Sequence, residues 1–211
     1  MKNAVSDQPM NANAMKRSMS VLLKLFAGVA LALVTCGWPP ALKAAENPKV
    51  GDKAPDFTLK SLDDQTVRLS GLTARGNVIL VVLRGWPGYQ CPICDTQVHD
   101  FIASAAGFAE AKAQLVFVYP GPAADLKAHA EEFKTWKGRQ WPKEFLYVLD
   151  PDYTLINAYG LRWDAPRETA YPSSFVLDAK GVVRFAKISK GHGDRTKAAD
   201  VIAEVKKLSA K

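Results

Sequence analysis

The stretch VILVVLRGWPGYQCPICDTQV, residues 78–98, holds the pattern on which the fold turns. Val78 to Leu83 is a continuous apolar and β-branched run, as expected of a strand covered on both faces. From Cys94 onward Val98, Phe101, Ile102, Ala105 and Phe108 recur at helical spacing. The motif Cys91-Pro92-Ile93-Cys94 therefore lies where a buried strand gives way to a helix, and Pro92 suits the first helical turn.

Working outward, Leu115 to Tyr119 reads as a second buried strand, ended by Pro120-Gly121-Pro122. Pro122 fits the first turn of a helix that carries Leu126, Ala130, Phe133 and Trp136 on one face. Phe145 to Leu149 is a third strand, followed by a short helix through Leu155 and Tyr159 to Gly160. On the N-terminal side, Asp56 to Leu59 and Thr66 to Leu69 flank Asp63-Asp64-Gln65 and form a short hairpin. Ser174 to Leu177 and Val182 to Ile188 flank the turn Asp178-Ala179-Lys180-Gly181, and Val201, Ile202, Val205 and Leu208 mark a last amphipathic helix. The order is β-hairpin, βαβαβα, then ββα. It implies one α/β domain over residues 46–211, with a mixed central sheet, helices on both faces and an N-terminal hairpin extension.

Residues 1–45 read as a signal peptide rather than as part of that domain. Lys16-Arg17 and Lys24 precede the apolar run Leu25 to Val34, whose helical length of roughly 15 Å falls well short of a hydrocarbon core of about 30 Å. Small residues follow at Ala41, Ala44 and Ala45, with cleavage expected after Ala44 or Ala45, and Met15 is an alternative start. Leu33-Val34-Thr35-Cys36-Gly37 also resembles a lipobox, although Thr35 is a poor fit before the cysteine. A periplasmic or otherwise exported protein and a lipoprotein anchored at Cys36 both stand as expectations. The net charge of +7 falls to +3 once the leader is set aside, so the basic balance is no argument for nucleic acid. Without lipidation at Cys36 no membrane partner is expected.

With Cys36 removed, Cys91 and Cys94 remain. Closing so short a loop is worth only about 2 kcal/mol by chain entropy, and a domain of this length buries enough core without it. The pair is better explained by chemistry than by stability. A helix N-terminus offers free N–H groups and the positive end of the dipole, which favour a thiolate and lower a cysteine pKa to roughly 3.5–7.5. Cys91 is then the attacking thiol and Cys94 the resolving one, which closes the Cys91–Cys94 disulfide. Arg84 adds positive potential, whereas Asp95 opposes it if it faces the sulfurs.

Other readings accompany this one. The pair could be an inert staple, or two ligands of a metal site completed by His99 or His192. Zinc wants four ligands at set spacing and only two cysteines are local, so no metal and no cofactor is assigned. Asp95 after Cys94 excludes covalent haem attachment. Trp86 and Tyr89 either line a substrate groove or pack on the helix. Lys137, Arg139 and Lys143 around Trp141-Pro142 read as a solvated loop, and Gly191-His192-Gly193-Asp194 lacks the glycines of a phosphate cradle.

Several segments together resemble the alkyl hydroperoxide reductase/thiol-specific antioxidant redoxins. Val50-Gly51-Asp52-Lys53-Ala54-Pro55-Asp56-Phe57-Thr58-Leu59 is similar to their opening. Arg84-Gly85-Trp86, Cys91-Pro92-Ile93-Cys94 and Thr96-Gln97 resemble the peroxiredoxin-like branch. Leu149-Asp150-Pro151-Asp152, Ala158-Tyr159-Gly160 and Pro172 with Phe175-Val176-Leu177-Asp178 continue the likeness, which covers about residues 48–208. The resemblance implies a thioredoxin-like fold and thiol-dependent reduction of peroxides or of protein disulfides, with a thiol electron donor. It departs from the family where, with Pro87 on the family's proline, Cys91 stands at the position of a peroxide-holding Thr or Ser and Cys94 at that of the peroxidatic cysteine, and where Pro172 replaces an Arg. Pro172 instead resembles the thioredoxin cis-proline, which implies a cis Tyr171–Pro172 bond and a backbone edge beside Cys91 for docking substrate. The expected function is thiol–disulfide exchange through Cys91 and Cys94, supported by Pro172, with Trp86, Tyr89 and Tyr171 lining the groove. The alternatives are a thiol peroxidase and a copper- or other metal-handling thioredoxin-like carrier.

Overall fold

The N-terminal hairpin pairs β1 (Thr58–Ser61) with β2 (Thr66–Arg68), and a short helix α1 (Leu69–Thr73) follows it. The structure, a computed structural model, describes residues 45–209; the leader reading, Cys36 included, falls outside the described residues. Strand β3 (Val78–Val82) leads to α2 (Pro92–Ala103) and α3 (Ala105–Glu110). Next come β4 (Gln114–Gly121), α4 (Leu126–Thr135), a 3₁₀ turn at Trp136–Gly138, β5 (Leu146–Pro151) and α5 (Thr154–Ala158). The hairpin β6 (Ser173–Leu177) and β7 (Val183–Ile188) precedes α6 (Ala198–Ser209). These strands form a sheet in the order β2-β1-β5-β4-β3-β6-β7. The central pairs β3·β4 and β4·β5 are parallel and the outer pairs antiparallel, so the sheet is mixed, as in a thioredoxin-like fold.

The unbroken apolar run of β3 is explained by the two faces it serves. Ile79, Val81 and Leu83 pack with Val98 and Phe101 of α2, Phe133 of α4 and Val201 of α6. Val78, Leu80 and Val82 pack with Leu69 and Leu72 of α1 and with Leu155 and Ile156 of α5. All six β3-run side chains are fully buried, each burial contributing about 1.5–3 kcal/mol. Both cysteines belong to the first of these two cores. Among the described residues no helix is long and apolar enough to cross a membrane.

Three local expectations are corrected. The helix after Cys91 breaks at Ser104 (φ −97°, ψ 12°) instead of running through Phe108. Pro122 stays in the loop before α4, because Asp125 adopts a left-handed conformation (φ 57°) and the helix starts only at Leu126. Trp136 lies beyond α4, in the 3₁₀ turn. Immediately after the β3 run, Gly85 has φ +77°, and a Cβ there would stand 1.8 Å from the Pro120 carbonyl oxygen. Trp86 N–H donates to that same oxygen at 3.0 Å, so only glycine lets the chain turn over the end of β4 toward the cysteines.

Candidate active site

Cys91 is the N-cap of α2, with extended backbone (φ −79°, ψ 112°) and Pro92 in the first turn. Its sulfur accepts the Cys94 N–H at 3.3 Å, one of the free donors of a helix start. The Arg84 N–H points at the Cys94 sulfur at 3.4 Å. Both thiols are free and buried, so the structure holds the reduced dithiol.

The two sulfurs are unequal. A hydrogen bond from the Cys94 thiol, joined by the Cys94 N–H and by the charges of Arg195 and Arg84, holds Cys91 down at about 5 against the cost of its burial. Full burial pushes the Cys94 thiol well above the ordinary cysteine range, and its bond to Cys91 pushes it further. One sulfur is thus a thiolate at neutral pH and its neighbour a protonated thiol. A helix N-cap beside a buried strand end produces that difference from identical side chains.

Arg195 is the residue that sequence reasoning missed. Its Nη2 lies 3.6 Å from the Cys94 sulfur and 3.9 Å from the Cys91 sulfur. Its Nη1 donates to Gln97 Oε1 at 3.1 Å and its Nε to the His192 carbonyl at 2.7 Å. The segment Gly191-His192-Gly193-Asp194, which has no phosphate-binding pattern, carries the guanidinium to the sulfurs. The only signal in the sequence was the arginine that follows it. Arg162 instead donates to the carbonyls of Trp163, Glu168 and Thr169, and the Arg167 side chain is exposed.

Arg84 is buried and locked. Its Nε meets Glu168 Oε2, its Nη1 the Tyr89 hydroxyl and its Nη2 the Arg167 carbonyl, each at 2.6 Å. The other Glu168 oxygen is 2.9 Å from His192 Nε2. Burial opposes ionisation of Glu168, but the bonds from Arg84 and His192 outweigh it and hold the carboxyl below its usual range. Arg84, Glu168, His192 and Arg195 therefore form a chain of contacts that starts and ends at the dithiol. Asp95 does not face the sulfurs: its carboxylate bonds Arg139 and, at 2.9 Å, Lys137. This overturns the solvated-loop reading of Arg139, whose side chain is buried to pair with a buried carboxylate, while Lys137 and Lys143 are exposed as expected.

The remaining sequence candidates fall on different sides of the site. Trp86 stacks on His129 with ring centroids 3.6 Å apart, so it packs against α4. Tyr89 is exposed and its hydroxyl meets Arg84. Tyr171 stacks on Trp163. The Tyr171–Pro172 bond is trans, which corrects the cis expectation; among the described residues no peptide bond is cis. The docking edge expected there is also taken up internally. The Tyr171 N–H donates to Leu161 O at 2.9 Å, the Tyr171 carbonyl accepts from the Ser173 hydroxyl, and the Pro172 carbonyl accepts from Ser189 N–H. His99 is exposed on α2, His192 is held by Glu168, and no cluster of three or more metal-binding side chains occurs among the described residues.

The sequence profile of the AhpC/TSA family matches residues 50–186. Peroxiredoxin Q of Triticum aestivum chloroplasts is 28% identical over 135 residues, which make up 64% of this chain and 57% of that protein. Peroxiredoxin Bcp of Bacillus subtilis is 28% identical over 139 residues, 63% of this chain and 80% of that one. In three dimensions the chain is similar to peroxidoxin BcpB from Mycobacterium tuberculosis, with TM-score 0.58, 23% identity and coverage of 77% and 99% of the two chains. It is also similar to AhpC of the same organism, with TM-score 0.63, 16% identity and coverage of 78% and 94%.

Proposed function

The chain belongs to the AhpC/TSA family, and from that premise we propose that it is a thiol-dependent oxidoreductase acting by dithiol–disulfide exchange. Cys91 is the attacking thiolate and Cys94 the resolving thiol. The observation that carries the reading is the opposite displacement of the two thiols, Cys91 held at about 5 and Cys94 driven up by burial. Cys91 attacks one sulfur of a disulfide, releasing the first thiolate and leaving a mixed disulfide. Cys94 then loses its proton and attacks Cys91, closing the Cys91–Cys94 bond and releasing the second thiol. An external thiol donor resets the pair. Charge on a departing sulfur falls within reach of Arg195, whose Nη2 already touches both protein sulfurs.

Peroxide reduction is the second reading, and Arg195 favours it specifically. It supplies a fixed donor beside the sulfurs in a chain that lacks the family's Thr or Ser and its Arg at the matching sequence positions. We propose export as the setting, which the basic stretch Lys16-Arg17 and the apolar run Leu25 to Val34 support. The metal-carrier reading finds no third ligand beside the cysteines among the described residues.

Alkylation of the Cys94→Ser and Cys91→Ser variants across pH tests the assignment of roles. The thiol of Cys94→Ser should react with a midpoint below the ordinary cysteine value, held down by the residue-94 N–H and by the charges of Arg195 and Arg84, with the serine hydroxyl as donor in place of the Cys94 thiol. Faster reaction at pH 6 of the single thiol left in Cys91→Ser would reverse the roles. Stopped-flow oxidation of the reduced dithiol by hydrogen peroxide, beside a model disulfide, ranks the two substrates.

A further inference from the structure

Arg195, whose Nη2 reaches both sulfurs, also lines a groove next to the dithiol that the sulfurs themselves do not line. At Tyr171 and Pro172 the backbone groups are consumed by Leu161, Ser173 and Ser189. The groove, of about 460 Å³, runs between α2 and the segment that enters α6. Ile93, Gln97, Asp100, Arg195 and Lys197 line it. Ile93, the residue between Pro92 and Cys94, is exposed there, an apolar contact beside the nucleophile. The Asp100 carboxylate is already held by the Ala198 N–H at 2.7 Å, whereas Lys197 is exposed. The groove has the volume of a small-molecule site rather than of a protein interface.

We propose that this groove takes a small disulfide bearing carboxylates, with Lys197 holding a carboxylate while Arg195 faces the departing sulfur. The inference rests on the thiol–disulfide reading and adds its substrate class. Charge complementarity decides the class. The groove presents two cations, Arg195 and Lys197, against one carboxylate, Asp100, which keeps its charge but is oriented by the Ala198 N–H, so the lining carries a net positive charge. In the step, the Cys91 thiolate bonds one sulfur of the small disulfide as its S–S bond breaks. The first small thiolate leaves and takes the proton given up by Cys94. Cys94 sulfur then bonds Cys91, and the second small thiolate departs into solvent. The Cys91 thiolate and the Cys94 thiol are oxidised to one disulfide as the mixed disulfide breaks, and the small disulfide is reduced to one thiol and one thiolate.

The test compares glutathione disulfide, which carries carboxylates, with neutral hydroxyethyl disulfide as oxidants of the reduced full chain. The readout is the ratio of their second-order rate constants. Lys197→Glu should lower the ratio about tenfold, since an exposed attraction of a few-fold becomes a repulsion of similar size. The ratio for the native protein should fall as salt is raised. Lys180→Gln, which removes a charge from the β6–β7 turn, is the charge control and should leave the ratio alone. An unmoved ratio in Lys197→Glu, or an equal drop in Lys180→Gln, overturns the groove assignment while the exchange reading stands. Failure of both disulfides to oxidise the native dithiol overturns the exchange reading itself, while failure of glutathione disulfide alone overturns the groove assignment.

Discussion

The two segments joined by the Glu168–His192 contact, residues 168–172 and residues 191–197, spend their polar groups in opposite ways. In the first, the Glu168 carboxylate binds Arg84 and His192, the Thr169 hydroxyl bonds the Arg84 carbonyl, and Tyr171 and Pro172 give their backbone groups to neighbouring chain. In the second, Arg195 reaches the sulfurs themselves and Lys197 stays exposed. A segment with most of its polar groups committed is a wall: it fixes geometry and has little left to offer a ligand. A partly committed one is where chemistry can be exchanged. The lesson is that nearness to a nucleophile does not make a docking edge, since the hydrogen-bond account of the backbone has to leave something open.

The largest expected effect removes Cys91, the proposed nucleophile. Cys91→Ser should cut disulfide exchange by about 10³-fold or more, while Cys94→Ser should still attack once and trap the mixed disulfide, visible as a mass increase. Trapping in Cys91→Ser and not in Cys94→Ser would undo the division of labour.

Next comes the closed segment. Glu168→Gln leaves the Arg84 guanidinium buried without its counter-charge and should destabilise the fold by about 3 kcal/mol in urea unfolding. The pH dependence has a definite sign. Glu168 titrates lower in the fold than in the unfolded chain. Its contribution is therefore full above the unfolded value of about 4.3, and is lost as pH falls through the lower folded one. Glu168→Gln should flatten that acid limb, and an unchanged limb would show that the ion pair adds nothing.

Arg195→Gln sharpens the contrast from the open side. Cys91 should then need a higher pH to ionise, and its alkylation at pH 5 should slow about threefold to tenfold, the scale of one nearby charge. The native rate should be nearly flat above pH 6 and fall tenfold per pH unit below about 5. The smallest effect belongs to Pro172→Ala, expected to cost about 1 kcal/mol or less and to change exchange by less than about threefold. A larger kinetic loss would mean that substrate uses the closed segment after all.

Much of this architecture is written locally. The continuous run of β3, with alternate side chains serving two cores, and the periodic apolar face of α2 place a strand and a helix around Cys91 with no long-range information. The mixed sheet with helices on both faces follows from strands that alternate with helices and end in a hairpin, whereas the strand order does not. What periodicity cannot carry is a pairing between distant points. Arg195 meets Cys91 across 104 residues and Arg139 meets Asp95 across 44, and each is a charged residue that composition alone places in solvent. The trans bond at Pro172 escaped for a related reason. A proline before a strand carries no local mark of its isomer, and the resemblance to thioredoxin supplied one that this chain does not follow.

The contact between Arg195 and the sulfurs also bears on electron poise. A guanidinium that favours a thiolate stabilises the reduced dithiol and has no comparable anion to hold once the disulfide closes. It therefore draws electrons toward the protein, raising the reduction potential of the couple. Each tenfold of preferential stabilisation is worth about 30 mV for a two-electron pair. The same contact that readies Cys91 for attack limits how strong a reductant the domain can be. Loosening Arg195 from the sulfurs would make the dithiol a better electron donor and Cys91 a slower nucleophile at low pH, so the two properties are tuned against each other at one side chain.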